Sequence, residues 1–218
     1  HTESFPHSVL EAQTAYNLYR TRNHPSLVIH CAGNENNPYL VLVKAKDREI
    51  TSCTIHNGTR IIYCDAFYKC TSLTSITIPD SVTSIGNRAF YECTNLTSVT
   101  FENDYLYRIG EMTFYNCGNL KTVTIPGGVK EIGYGAFGCD EENKGLDTAY
   151  IYARNTWFES CDDIDSPLVD TNALTFPEYT VIYGHASSDA YWYANINNRT
   201  FNVLEDRQVI KIENGKNA

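Results

Sequence analysis

Gly133, Gly135 and Gly138 stand in the stretch Ile132 to Gly138 as G-x-G-x-x-G. In a nucleotide-binding strand–turn–helix unit that spacing permits a tight turn and lets the backbone approach a pyrophosphate at a helix N-terminus. Here the next residues are Cys139-Asp140-Glu141-Glu142-Asn143, which set carboxylates where a phosphate would bind. A second group, Cys53-x-x-His56 with Cys64, has a zinc-like look, but Cys53 falls on an inward strand position and His56 on a corner. Asp162, Asp163, Asp165 and Asp170 resemble the start of a calcium loop without the EF-hand spacing or its closing glutamate. Whether this acidic 162–170 segment binds calcium stays open. His185, Ser187 and Ser188 bring together a base and two hydroxyls, yet a nucleophile also needs an acid-supported base, and the same residues make a good helix start. His1, His7, His24, His30 and His56 show no motif spacing, and H-E-x-x-H, the P-loop and G-x-S-x-G are absent. The chain is therefore read as not an enzyme: no catalytic residue, no metal ligand and no cofactor is assigned.

What positions these residues is a repeat. Phe67, Phe90, Phe114 and Phe137 are spaced by 23, 24 and 23 residues. Cys70, Cys93 and Cys117 follow each of the first three at one offset. Leu73, Leu96 and Leu120 come next, then Ile76, Val99 and Val123, then Ile78, Phe101 and Ile125. Ile62, Ile85, Ile109 and Ile132 close the units. An earlier copy carries Ile50, Cys53 and Ile55, and a later one Leu146, Ala149 and Ile151. One such unit cannot bury its own apolar side, so the units must stack as a solenoid. The L-x-x-I-x-I portion has the alternation of a short strand, rich in β-branched residues. Pro79 and Pro126 end their strands because proline cannot extend a ladder. Gly133 is then the equivalent of Gly86 and Gly110, and Gly135 and Gly138 occupy the positions of Arg88 and Tyr91. The nucleotide fingerprint dissolves into the repeat.

Ala66 to Gly86, "AFYKCTSLTSITIPDSVTSIG", resembles the BspA-like leucine-rich repeat family. The resemblance runs from about Asn37 to Ile151 and resumes from Thr180 to Glu205. It implies a right-handed leucine-rich repeat solenoid with a parallel β-sheet on the concave face. The expected class is mainly β, with an irregular or short-helical convex side and capping segments at both ends. It also implies an extracellular or cell-surface location and a role in adhesion or protein binding. The asparagine ladder of other leucine-rich repeats is missing: Gly58, Ser81, Asp104 and Gly128 hold its positions. Residues 1–49 are expected to form an N-terminal cap, with a short helix opened by Ser8 and ending at Tyr19. A hairpin around Asn34 to Pro38 follows and could cover the end of the sheet. The array is assigned to 50–153, and 154–218 to a C-terminal excursion and cap, the whole being one continuous domain.

With the apolar residues of each strand turned inward, Ser52 and Thr54, Ser75 and Thr77, Ser98 and Thr100, Thr122 and Thr124, Thr148 and Tyr150 point outward. They form two columns rising about 4.8 Å per strand. This concave face is the expected contact surface, engaged through Ser75, Thr77, Ser98, Thr100, Thr122, Thr124, Thr148, Tyr150 and Tyr152. Tyr150 and Tyr152, with Arg154 and Trp157 near them, break its uniformity. Tyr68, Tyr91 and Tyr115 make another column beside the phenylalanines. The partners that fit are a protein or a glycan. A formal net charge of −9 argues against nucleic acid, and no apolar run is long enough for membrane insertion of this segment. The alternative is a structural spacer that displays other domains and binds nothing. The buried cysteine register reads as reduced, structural thiols.

Overall fold

The computed structural model describes residues 27–34, 37–45, 47–102, 104–140, 144–159 and 175–204. The helix expected between Ser8 and Tyr19 and the acidic 162–170 segment lie outside them. In chain order the elements are β1 (Leu27–Asn34), β2 (Asn37–Ala45), β3 (Thr59–Ile62), β4 (Ser75–Ile78), β5 (Ser84–Ile85), β6 (Ser98–Phe101) and β7 (Arg108–Ile109). They continue with β8 (Thr122–Ile125), β9 (Glu131–Ile132), β10 (Thr148–Ile151), β11 (Trp157–Phe158), β12 (Val181–Gly184), α1 (Asp189–Ile196) and β13 (Phe201–Val203).

The repeats of β4, β6 and β8 each supply a four-residue strand from the L-x-x-I-x-I portion and a two-residue strand at the closing isoleucine, whereas the first copy forms only β3. The long strands make the hydroxyl sheet in two parallel parts, β4 beside β6, and then β8, β10, β12 and β13 in that order. The short strands build a second sheet in the order β1-β2-β3-β5-β7-β9-β11. β1 and β2 form an antiparallel hairpin, and β2 pairs in parallel with β3. The hairpin therefore covers the edge of the second sheet, not of the hydroxyl sheet. Between the two strands of a repeat the chain turns without helix.

Alternation sends Ile76 and Ile78, Val123 and Ile125, and Ala149 and Ile151 into a continuous core with Leu73, Leu96 and Leu120. Phe67, Phe90, Phe114 and Phe137 stack face to face with centroids 4.8, 5.1 and 5.2 Å apart. The phenylalanine backbones are laddered too. The Phe67 N–H donates to the Ala89 carbonyl at 2.6 Å, Phe90 to Thr113 at 2.8 Å, and Phe114 to Ala136 at 2.7 Å. Each Phe buried in such a stack contributes about 3–5 kcal/mol relative to alanine.

Register persists beyond 153. Phe158 pairs with Ile132, Thr175 accepts the Phe137 N–H at 2.9 Å, and Phe176 stacks on Phe137 at 5.5 Å. β12 then pairs along β10, and β13 along β12. The parallel register is thus carried past residue 153 by β11, Thr175-Phe176, β12 and β13.

Candidate functional site

The glycine fingerprint lies at a corner of the solenoid. A Cβ on Gly133 would sit 2.6 Å from the Gly110 carbonyl carbon, and one on Gly110 would sit 2.7 Å from the Asn87 backbone nitrogen. Successive backbones touch here, so only glycine fits. Gly135 serves another need: its φ is 61°, matching Asp65 at 57°, Arg88 at 55° and Met112 at 48°. Gly138 leaves room beside the Tyr115 ring, 3.1 Å from the position of a Cβ, and ends the column in which Tyr68, Tyr91 and Tyr115 stack. A turn, not a helix, follows Gly133.

Cys70, Cys93 and Cys117 are buried in one row and carry free thiols, as do Cys53, Cys64 and Cys139. The Cys93 thiol donates to the Phe67 carbonyl and the Cys117 thiol to the Phe90 carbonyl, each at 3.2 Å. Burial pushes Cys70 up to about 11 and Cys117 up to about 12, and raises Cys93 as well. Cys53 is pushed up to about 12, first by burial and then by Cys70. These are packing groups, not nucleophiles. Among the described residues no three His, Cys, Asp or Glu come together as a metal site. Ser188 caps α1, its side chain accepting the Tyr191 N–H at 3.3 Å, while Asp189 accepts the Thr156 N–H at 2.8 Å. The hydroxyl and carboxylate beside His185 are thus engaged in holding backbone.

On the hydroxyl sheet Ser75 stands beside Ser98 and Thr77 beside Thr100; Thr122 stands beside Thr148 and Thr124 beside Tyr150. Ser75, Thr77, Ser98, Thr100, Thr122 and Thr124 are exposed, whereas Thr148 and Tyr150 are half-buried. Tyr150 stacks on Tyr183 at 4.8 Å, so β12 extends the column with a second aromatic that the repeat spacing had not supplied. Trp157 is exposed, but on the second sheet, where it pairs with Glu131.

No ladder joins β6 to β8. The break coincides with the single 24-residue spacing among the phenylalanines. Phe101 to Leu106 spans five positions where Ile78 to Val82 and Ile125 to Val129 span four. The longer corner is held down by Asp104, whose Oδ1 accepts the Gly127 N–H at 3.0 Å. Its carbonyl oxygen occupies the place of a Cβ on Gly128, which is why glycine stands there. The strands part enough to leave Val99 and Phe101 half-buried, although their counterparts Ile76, Ile78, Val123 and Ile125 are fully buried.

A cleft of about 450 Å³ opens at this break. Of the residues expected to bind, it is lined by Thr100, Thr124 and Tyr152. It does not gather Ser75, Thr77, Ser98, Thr122, Thr148 or Tyr150. It adds Val99, Phe101, Glu102, Asp104 and Pro126, which the column argument missed. Their signal was the extra residue, together with Glu102 and Tyr152 standing where Pro79 and Pro126 stand in other copies. Tyr152 is 49% exposed, and His185 meets its ring edge-on at 6.4 Å, which fixes its orientation.

Fold and repeat together define a leucine-rich repeat solenoid. The model of the BspA type leucine-rich repeat region matches six copies over residues 45–165, and the chain belongs to that family. Among solved structures it is similar to a leucine-rich repeat protein of Bacteroides ovatus, with 22% identity and a TM-score of 0.43 over 73% of this chain and 36% of that one. A leucine-rich repeat protein of Bacteroides capillosus is 27% identical, with a TM-score of 0.42 over 59% of this chain and 99% of that one. The pneumococcal vaccine antigen PcpA is 17% identical, with a TM-score of 0.49 over 80% of this chain and 48% of that one. The chain spans 36% of the length of the Bacteroides ovatus protein. No curated protein matches it.

Proposed function

We propose that this protein is a non-catalytic binding module, secreted or held at a cell surface, that engages a glycan or a protein through the hydroxyl sheet. The supporting observation is that the sheet's departures from repetition fall together. The extra residue, Glu102 and Asp104 come from one copy and Tyr152 from the copy two turns on, and they meet at one opening. Random drift in a scaffold would scatter such departures along the array. Family membership agrees with a repeat module, and the surface location follows from what the family resemblance implies. The spacer alternative draws its support from the uniform rows Ser75–Ser98 and Thr77–Thr100, which offer short hydroxyls and little else.

The immobilised chain, screened against a glycan array and a panel of purified glycoproteins, tests this. A Ser75→Lys/Thr77→Lys variant should lose the binding seen, and Ser84→Lys, on the second sheet, should keep it. Loss only from Ser84→Lys would move the contact to the other face. Silence across both screens would favour the spacer.

A further inference from the structure

We propose that the cleft between β6 and β8 is a saccharide site, taking a neutral hexose oligosaccharide with Tyr152 as its stacking platform and Glu102 and Asp104 as acceptors of sugar hydroxyl protons. The inference rests on the binding-module reading and narrows it to one place and one ligand class.

The chemistry of the lining selects that class. At about 450 Å³ the cleft falls inside the range of about 300–1,000 Å³ usual for small-ligand sites. A pyranose ring has an apolar C–H face and a rim of hydroxyls. Tyr152 offers a half-exposed ring of set orientation for the face, with half-buried Val99 and Phe101 deepening the apolar floor. Thr100 and Thr124 flank that floor and can both donate and accept. Asp104, whose Oδ1 accepts the Gly127 N–H, and Glu102 are both exposed at the rim of the cleft. Carboxylates accept strongly from vicinal hydroxyls. Among the described residues no lysine or arginine lines the cleft, and the chain carries a net charge of −9. Sulfated, phosphorylated and sialylated sugars are therefore disfavoured.

The test titrates the whole chain with maltotriose and with cellotriose, using 3′-sialyllactose as the anionic control, followed by calorimetry. At least one neutral trisaccharide should bind, and the sialylated one should bind about tenfold or more weakly. Tyr152→Ala should weaken binding by about tenfold or more, as loss of an aromatic anchor does, while Tyr152→Phe should stay within about twofold. Replacing residues 102–105 by Pro-Asp-Ser restores the ordinary corner, and should abolish binding with the melting temperature kept. If Tyr152→Ala lowers the melting temperature, Glu102→Gln on the exposed rim carries the test, with a several-fold loss expected. Binding of neither neutral sugar, or equal binding by the restored-corner variant, would overturn the saccharide site. Neither result touches the hydroxyl-sheet reading, which the Ser75→Lys/Thr77→Lys variant, outside the cleft, judges separately.

Discussion

Three cysteines and two glycines show what single residues decide. The thiols of Cys70, Cys93 and Cys117 ionise near 9 when unfolded, and burial raises all three in the folded chain. Between pH 9 and the folded values, the unfolded chain holds fewer protons than the native one. Stability should therefore be flat below about pH 9 and fall above it, by up to about 1.4 kcal/mol per pH unit for each thiol. Urea melts from pH 7 to pH 11 check this, and a stability that rose with pH would contradict the burial. The same thiols should resist alkylation in the native protein at pH 8 and react fully once it is unfolded without reductant. At the glycines, Gly133→Ala must push two backbones apart, whereas Gly135→Ala only places a side chain at positive φ, worth about 1–2 kcal/mol. Gly133→Ala should thus lower the melting temperature more than Gly135→Ala, and the reverse order would undo the corner assignment. The cysteine row was legible because one offset from each phenylalanine fixes it. The glycine row Gly86, Gly110 and Gly133 was periodic too, but its reason was not legible, since spacing does not show which backbones touch.

At the scale of elements, the four-residue strands were readable from alternation and the second sheet was not. Ser84–Ile85, Arg108–Ile109 and Glu131–Ile132 are two residues long, too short for a period of two to show. The turns around them place non-glycine residues such as Lys69, Glu92 and Asn116 at φ of 53° to 57°. No sequence preference marks those residues, and it is the ladder to neighbouring turns that holds them. For example, the Lys69 N–H reaches the Tyr91 carbonyl at 2.8 Å. Thr175-Phe176 was missed because it follows Phe137 by 39 residues and leaves the expected spacing. The phenylalanine row, by contrast, was fully legible and supports a firm expectation. Phe90→Ala removes a ring stacked on both faces and should cost about 3–5 kcal/mol. A thermal melt with the same midpoint as the parent would refute that packing.

Over the whole molecule, contacts run almost entirely between neighbouring copies, so damage should travel along the array and fade with distance. Hydrogen exchange on Phe90→Ala should speed first in the turns bearing Phe67 and Phe114, then less at Phe137. Uniform acceleration from Val41 to Val203 would show a single cooperative block instead. The long-range order also explains how an opening arises without loss of core. Across the extra residue the phenylalanine stack closes at 5.1 Å, and β5 still pairs with β7. Only the hydroxyl sheet parts. In the language of crystals, the corner near Asp104 is a dislocation confined to one face of a one-dimensional lattice. A periodic object has no unique address on its surface, because every lattice point offers the same neighbours. One added residue breaks that translational symmetry on one face, and so gives a row of near-identical turns a position unlike its neighbours.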